Sequence, residues 1–355
     1  MGAAVTTSNP SDFANRIQTY FNPKLLEALQ FNLVMASYGM RQAFPAIGTS
    51  IRFFRPRPAD SSYVTNPTTE GTTPTNLTEV AVGYVDVPLT QKAGLATITD
   101  ITQAIDLVNT VQLYTKTMGA DAALHLDDIC RNAVVTGLND SDAKFGTGNY
   151  FERFAGTTNT GTSSTDFATF NALSTSNGKI TRAEHLKCVT QLKSAKVPMI
   201  GGKYVAATPP QIIHDIRQDT TWTAAATYSD PEKLYKGMQI MLDGCAFVEQ
   251  TNPWREGATY KTYSATGANY GTIYLGEGAF GCPELTNTRA GGSPMSPKLV
   301  VLAQPDKYDP LNLQTTIGWK AFYGAKLLVA TTNGTTPASW ERPRALLLRS
   351  KSTFA

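Results

Sequence analysis

The segment GEGAFG, residues 276–281, follows the apolar run TIYL and has the G-x-G-x-x-G spacing that cradles dinucleotide phosphates behind a strand. That chemistry needs the last glycine to open a helix whose free N–H groups meet the pyrophosphate, with an acid roughly 20 residues on for the ribose. After Gly281 the chain reads CPELTNTRAGGSPMSP, and Pro283, Gly291, Gly292, Pro294 and Pro297 break helices rather than start one. No Asp or Glu stands between Leu285 and Pro305. The segment is therefore read as a glycine turn closing a strand, and no cofactor is expected. A nucleotide-binding oxidoreductase built on it is the rival from the enzyme class.

Three histidines are the other candidates for acid and base work. His125 precedes LDD inside a helical pattern and reads as an exposed imidazole. His185 and Cys188 stand three apart on one helical stretch and could share a metal, but no further ligand pair accompanies them. His214 with Asp215 could orient a base, yet no nucleophile motif such as G-x-S-x-G goes with it. The four cysteines are far apart in the chain, without C-x-x-C, and read as reduced thiols. No catalytic residue and no metal ligand is assigned. RFFRPRP interleaves Arg52, Arg55 and Arg57 with aromatics, as a single-strand nucleic-acid surface would. Strand alternation gives a simpler account, in which these guanidinium forks meet carboxylates of an adjacent copy.

The elements that carry these residues fall into an α+β order. Residues 1–50 form an arm with a helix, NPKLLEALQFNLVMASYGM, striped by Leu25, Leu29, Leu33, Ala36 and Met40. Residues 51–100 form an extended loop of two strands, IRFFRPRP and VAVGYVDVPLTQKAGLATITD, joined by a polar tip. In the second strand Val85, Val87 and Leu89 alternate against Val82 and Tyr84, so both faces are apolar. An isolated two-stranded ribbon has no core of its own, and neighbouring copies are expected to cover it. The assembly interface is accordingly placed at Arg52, Arg55, Arg57, Glu70 in the tip, Val85, Val87 and Leu89. Residues 101–179 carry one long helix over 102–138 and then a Gly/Thr-rich insertion, read as a surface loop. Residues 180–305 form a mixed lobe that opens with the capping box Thr181–Glu184, and 306–355 supply returning strands.

Composition is consistent with a protein made for contact. Of 355 residues 41% are hydrophobic and only 17% charged, against roughly 25% charged in an average soluble domain. With 31 basic and 28 acidic residues, the net charge of +3 gives no electrostatic case for a dedicated nucleic-acid binder. No apolar stretch nears the roughly 20 residues that cross a bilayer, and no secretion signal opens the chain, so neither membrane insertion nor that export route is expected.

Several stretches together resemble the major capsid proteins of tailed bacteriophages, in the branch typical of short-tailed phages. FNPKLLEALQFNLVMASYGMRQAFP resembles that branch's arm and helix, PTTEGTTPTNLTEV its extended-loop tip, and GLATITDITQAIDLVNTVQLYTKTMGADAALHLDDICRNAVVTGLN the start of its spine helix. GTIYLGEGAFG and DPLNLQTTIGWKAFYGAKLL resemble its axial-lobe strand and the return to its peripheral lobe. The resemblance implies the HK-ninety-seven-like fold: arm, extended loop (51–100), peripheral domain with spine helix (101–179), axial domain (180–305) and peripheral return strands (306–355). It implies a non-enzymatic subunit of an icosahedral shell that makes hexamers and pentamers around double-stranded DNA, contacted nonspecifically. The partners it implies are a portal, a separate scaffolding protein and, in some relatives, a decoration protein. Assembly in the cytoplasm of a bacterial host and residence in the virion are implied by the same likeness. Some relatives weld the shell through an extended-loop lysine, but no lysine stands between Ile51 and Gln91, and Lys92 falls at the loop's base. No such crosslink is expected. A bacterial nanocompartment shell of the same fold is the alternative.

Overall fold

The computed structural model describes residues 34–43, 48–56, 82–105, 110–145, 151–157, 163–219, 241–257, 259–284, 298–302, 310–311, 313–329 and 342–354. In chain order the strands are β1 (Met40–Gln42), β2 (Ser50–Pro56), β3 (Val82–Pro88), β4 (Thr90–Thr99), β5 (Glu152–Phe154), β6 (Tyr204–Thr208), β7 (Met241–Leu242), β8 (Cys245–Glu249), β9 (Trp254–Glu256), β10 (Asn269–Leu275), β11 (Phe280–Pro283), β12 (Lys298–Leu302), β13 (Gln314–Tyr323), β14 (Lys326–Leu327) and β15 (Ala345–Lys351). The helices are α1 (Asp100–Ile105), α2 (Thr110–Phe145), α3 (Ser163–Ala172), α4 (Arg182–Ser194) and α5 (Pro210–Gln218). The chain divides into two compact units, one of residues 1–51, 88–131 and 282–325, the other of 52–87, 132–281 and 326–355.

The first unit is built on an antiparallel sheet in the order β12-β13-β4, with β4 and β13 in register from Thr90↔Tyr323 to Thr99↔Gln314. A glycine is required where these strands are closest packed: a Cβ on Gly94 would lie 2.5 Å from Trp319 Nε1. Asp100 donates its N–H to the Leu313 carbonyl, which carries β4 directly into α1. The middle of α2 buries Ala122 and, three and then four residues apart, Ala123, Leu126 and Cys130. Asp127 on the same face accepts from the Met35 and Ala36 N–H groups at 2.7 and 3.4 Å, fixing a 3₁₀ turn at Met35–Ser37.

The second unit holds a seven-stranded mixed sheet in the order β5-β15-β10-β6-β8-β7, with β9 on β10. β15 pairs antiparallel with β10 and parallel with β5, and every residue of β15 is buried. α4 and α5 bury Cys188, Val189, Leu192, Ile212 and Ile216 with Tyr204, Phe247, Tyr274, Leu346 and Leu348 of the sheet. Each such large apolar side chain contributes about 1.5–3 kcal/mol on burial. The β7–β8 turn places both Asp243 (φ 50°) and Gly244 (φ 84°) in the left-handed region, the two-residue turn that Asp-Gly favours.

Several sequence expectations are corrected here. The arm helix falls mostly outside the described residues, and where the description begins, the stretch from Met35 is a 3₁₀ turn followed by strand β1 instead of helix to Met40. The single second ribbon strand is two: Pro88 ends β3, and β4 belongs to the other pairing, with β13. The helix expected over 102–138 is described as α1 and the 36-residue α2, residues 106–109 between them lying outside the described residues, and it runs on to Phe145; α2 at about 1.5 Å per residue is about 54 Å long. The Gly/Thr-rich segment is no mere surface loop, because β5 joins the central sheet and α3 packs Phe167 and Phe170 on Phe154. The closing strands separate between units, β13 into the first and β15 into the second, and β12 pairs with β13 rather than with the mixed lobe.

Candidate assembly interface

Alternation fixes the ribbon. β2 and β3 form a two-stranded sheet in which Ile51, Phe53 and Arg55 of one strand, and Val85 and Val87 of the other, are buried. Phe53 lies over Gly281, where an added Cβ would come within 2.7 Å of the ring. The opposite face carries Phe54, Val82 and Tyr84, at 63%, 50% and 50% exposed. The expectation that both faces await cover from sister copies is corrected, since Val85, Val87 and Leu89 are already buried within the chain.

The predicted arginines do different work. Arg52 is exposed and holds Asp86 of its own chain through Nε and Nη2 at 2.7 and 2.9 Å, with its guanidinium 4.3 Å above the Tyr84 ring. That hydrogen bond draws the Asp86 carboxyl below its ordinary value. Arg55 is buried and donates to the Leu328 and Arg342 carbonyls, both at 2.8 Å. It is a strut inside the subunit, and the expectation that it meets a neighbour's carboxylate is corrected. Arg57 and Glu70 lie outside the described residues.

The residues that suggested chemistry are placed as structural parts. GEGAFG is the turn between β10 and β11, and it leads into a strand, not a helix. The Gly276 N–H donates to the Arg344 carbonyl at 2.9 Å, and a Cβ at Gly276 would strike Val197 Cγ1 at 2.2 Å, while Gly278 has φ +64°. His185 is buried, accepting from the Tyr274 hydroxyl at Nδ1 (3.0 Å) and donating from Nε2 to the Leu242 carbonyl (3.2 Å). Burial lowers its pKa below the ordinary imidazole value. Both nitrogens are therefore used within the fold, and burial raises the Cys188 thiol, so the pair does not resemble a metal site. His214 sits against Phe354, and Asp215 accepts from the Thr353 N–H (3.0 Å) and from the Thr353 hydroxyl, tying down the C-terminal segment. His125 is exposed beside Trp319, with ring centroids 6.1 Å apart. All four cysteines are free and buried. Among the described residues no cluster of ligating side chains could hold a metal, and no helix is long and apolar enough to cross a membrane.

What the sequence reading missed is a buried ionic group in the second unit. Arg349 on β15 meets Glu152 of β5 at 2.9 Å and Glu256 of β9, with all three side chains at most 1% exposed. Asn139 accepts from Arg349, the Tyr260 hydroxyl donates to Glu152 at 2.7 Å, and the Lys261 N–H donates to Glu256. Burial raises the Glu256 pKa, with Arg349 opposing. Paired carboxylates can do acid–base work, but these are sealed from solvent and bonded to one guanidinium, which makes them a lock between strands.

No protein-family model matches the chain, and no curated protein matches it. Solved structures do. The capsid structure of cyanophage P-SCSP1u shares 13% identity over 90% of this chain and 89% of that one, with a TM-score of 0.59. The capsid of Ralstonia phage GP4 gives 13% identity, 89% and 87% coverage and a TM-score of 0.60. The capsid asymmetric unit of cyanophage Pam1 gives 13%, 90% and 92%, and 0.56. The chain has the α+β fold of these capsid proteins over nine-tenths of its length.

Proposed function

We propose that the chain is the major capsid protein of a tailed bacteriophage, a structural subunit that self-assembles into hexamers and pentamers of an icosahedral shell around double-stranded DNA. The observation that carries this reading is the end-to-end match to three phage capsid proteins, with coverage near nine-tenths in both directions. The ribbon supports it: one face is buried in the chain, while the other leaves Phe54, Val82 and Tyr84 in solvent, as expected of a surface completed by another copy. Contacts between unlike patches that close into rings build a finite shell, and arms laid over neighbours spread load across many interfaces. Catalysis has no part in this reading, and DNA is met nonspecifically. A portal, a separate scaffolding protein and a decoration protein are the partners proposed, with assembly in the host cytoplasm.

Sedimentation of the purified protein across a concentration series tests this. Pentamers, hexamers or faster-sedimenting shells should grow at the expense of monomer as concentration rises. A monomer that persists at every concentration, with or without co-expressed scaffold, would overturn the proposal. A shell loaded with an enzyme instead of DNA would favour the nanocompartment alternative.

A further inference from the structure

Cys130 on α2 and Cys282 on β11 are far apart in the chain but meet in the first unit. The two thiols are hydrogen-bonded to each other, and each also to the Tyr323 hydroxyl of β13, which lies 3.2 Å from Cys130 Sγ. All three side chains are at most 1% exposed. A thiol is a weak hydrogen-bond donor and otherwise packs as a small apolar group, so a pair of alanines or valines would fill this core nearly as well. What two adjacent sulfurs can do and those residues cannot is share a bond. The two thiols are also unlike. The hydrogen bond from Cys130, with the Arg41 guanidinium acting in the same direction, holds Cys282 below the ordinary thiol value, whereas the same bond and burial hold Cys130 well above it. Cys130 therefore keeps its proton, and Cys282 is the sulfur that more readily becomes the thiolate, the form that attacks an oxidant. Cys188 and Cys245 of the second unit are both pushed up by burial, Cys245 to about 12.

We infer that Cys130 and Cys282 form a thiol–disulfide site, reduced while the chain folds and closed afterwards by a small oxidant of the peroxide class. The Cys282 sulfur attacks one oxygen of hydrogen peroxide, the O–O bond breaks, and hydroxide leaves a sulfenic acid behind. The Cys130 sulfur then attacks the Cys282 sulfur, the S–S bond forms, and a second hydroxide leaves. The two hydroxides take up the two thiol protons, so two thiols and one peroxide become one disulfide and two waters. The bond staples the middle of α2 to β11 and closes a loop of about 150 residues, the long-loop case in which a disulfide restricts the unfolded chain most. Disulfides persist in oxidising surroundings and not in a reducing cytoplasm, so the staple belongs to the time after the chain has left the compartment where it was made. On the shell reading that time is after release from the host. The site itself stands on the first unit alone.

The test is peptide mapping of the unmutated protein, as unassembled subunit and as particles, with and without prolonged exposure to hydrogen peroxide, free thiols then being alkylated in denaturant. A linked Cys130–Cys282 peptide is expected only after oxidation, with Cys188 and Cys245 alkylated in both samples. The oxidised subunit should melt on the order of 10 °C higher, and dithiothreitol should return it to the parent Tm. Cys282→Ser, or Cys130→Ala should that variant fold poorly, should abolish both the linked peptide and the shift. Alkylation of both cysteines after oxidation, a sulfinic acid at Cys282 with Cys130 still free, or a bond to a second copy would overturn the site and leave the shell reading untouched. A linked peptide in a protein that stays monomeric at every concentration would support the site while the shell reading falls.

Discussion

Replacing Arg349 with Met removes the one cation between two sealed carboxylates. Arg349 is fully buried, Glu152 and Glu256 are likewise, and three strands meet at the group. Removing one partner from a buried ion pair costs about 3–5 kcal/mol, because the charge left behind has neither water nor a partner. On a unit of this size that is on the order of 10 °C in Tm. The loss should depend on pH in a set direction. Glu256 already binds its proton more tightly folded than unfolded. A group with a raised folded pKa stabilises fully below its unfolded value and loses that contribution as pH rises through the folded value. Without Arg349 the Glu256 carboxyl shifts further up, so Arg349→Met should be most destabilised near pH 8 and recover toward pH 5. Adding Glu152→Gln and Glu256→Gln should restore much of the loss at pH 8. Thermal unfolding of the unassembled subunit, followed by circular dichroism at both pH values, reads this out. A Tm within a degree or two of the parent at pH 8, or a loss equal at both pH values, would refute the account of the lock.

Gly281→Ala should cost about 1–3 kcal/mol by overpacking against the Phe53 ring, measured by urea unfolding of the unassembled subunit, whereas Phe53→Leu in the same chain should relieve part of it. His185 has a folded pKa depressed by burial, so the unfolded chain binds its proton first; stability should fall as pH drops below about 6.5 and level off under the folded pKa, and His185→Gln should flatten that limb of the Tm–pH curve. Asp127→Ala should free the two N–H groups it caps and cost about 1–3 kcal/mol, seen as faster amide exchange at Met35 and Ala36. Mature particles should run as intact monomers on denaturing gels, since the ribbon has no lysine for an isopeptide bond; covalent ladders would contradict this.

What could be read from the sequence was local. Thr181 caps α4 by accepting from the Glu184 N–H, as the capping box implies, though the Glu184 carboxylate turns to Lys187 instead of back to the cap. The alternation of Val85 and Val87 against Val82 and Tyr84 gave the two faces of β3 correctly, but alternation says nothing of which face its own chain covers. The central sheet joins segments more than a hundred residues apart, such as β5 and β15, and no local pattern encodes that register. Glu152, Glu256 and Arg349 are invisible one at a time for the same reason. One signal was present: an arginine continuing the apolar run ALLL in a strand with two buried faces must find buried acids. The insertion was misjudged because its Gly, Thr and Ser outweighed Phe151, Phe154, Phe167 and Phe170, the residues that anchor it. The glycine turn of GEGAFG was legible, since Gly276–Ala279 does join β10 to β11.

The central claim is that copies of this chain close into a shell. Electron microscopy of the purified protein, alone and with a co-expressed scaffold, tests it most directly. Closed icosahedral particles with rings of five and six, each ribbon overlying an adjacent subunit, are the predicted image. Fields of compact single molecules, with no rings or shells under either condition, would contradict it.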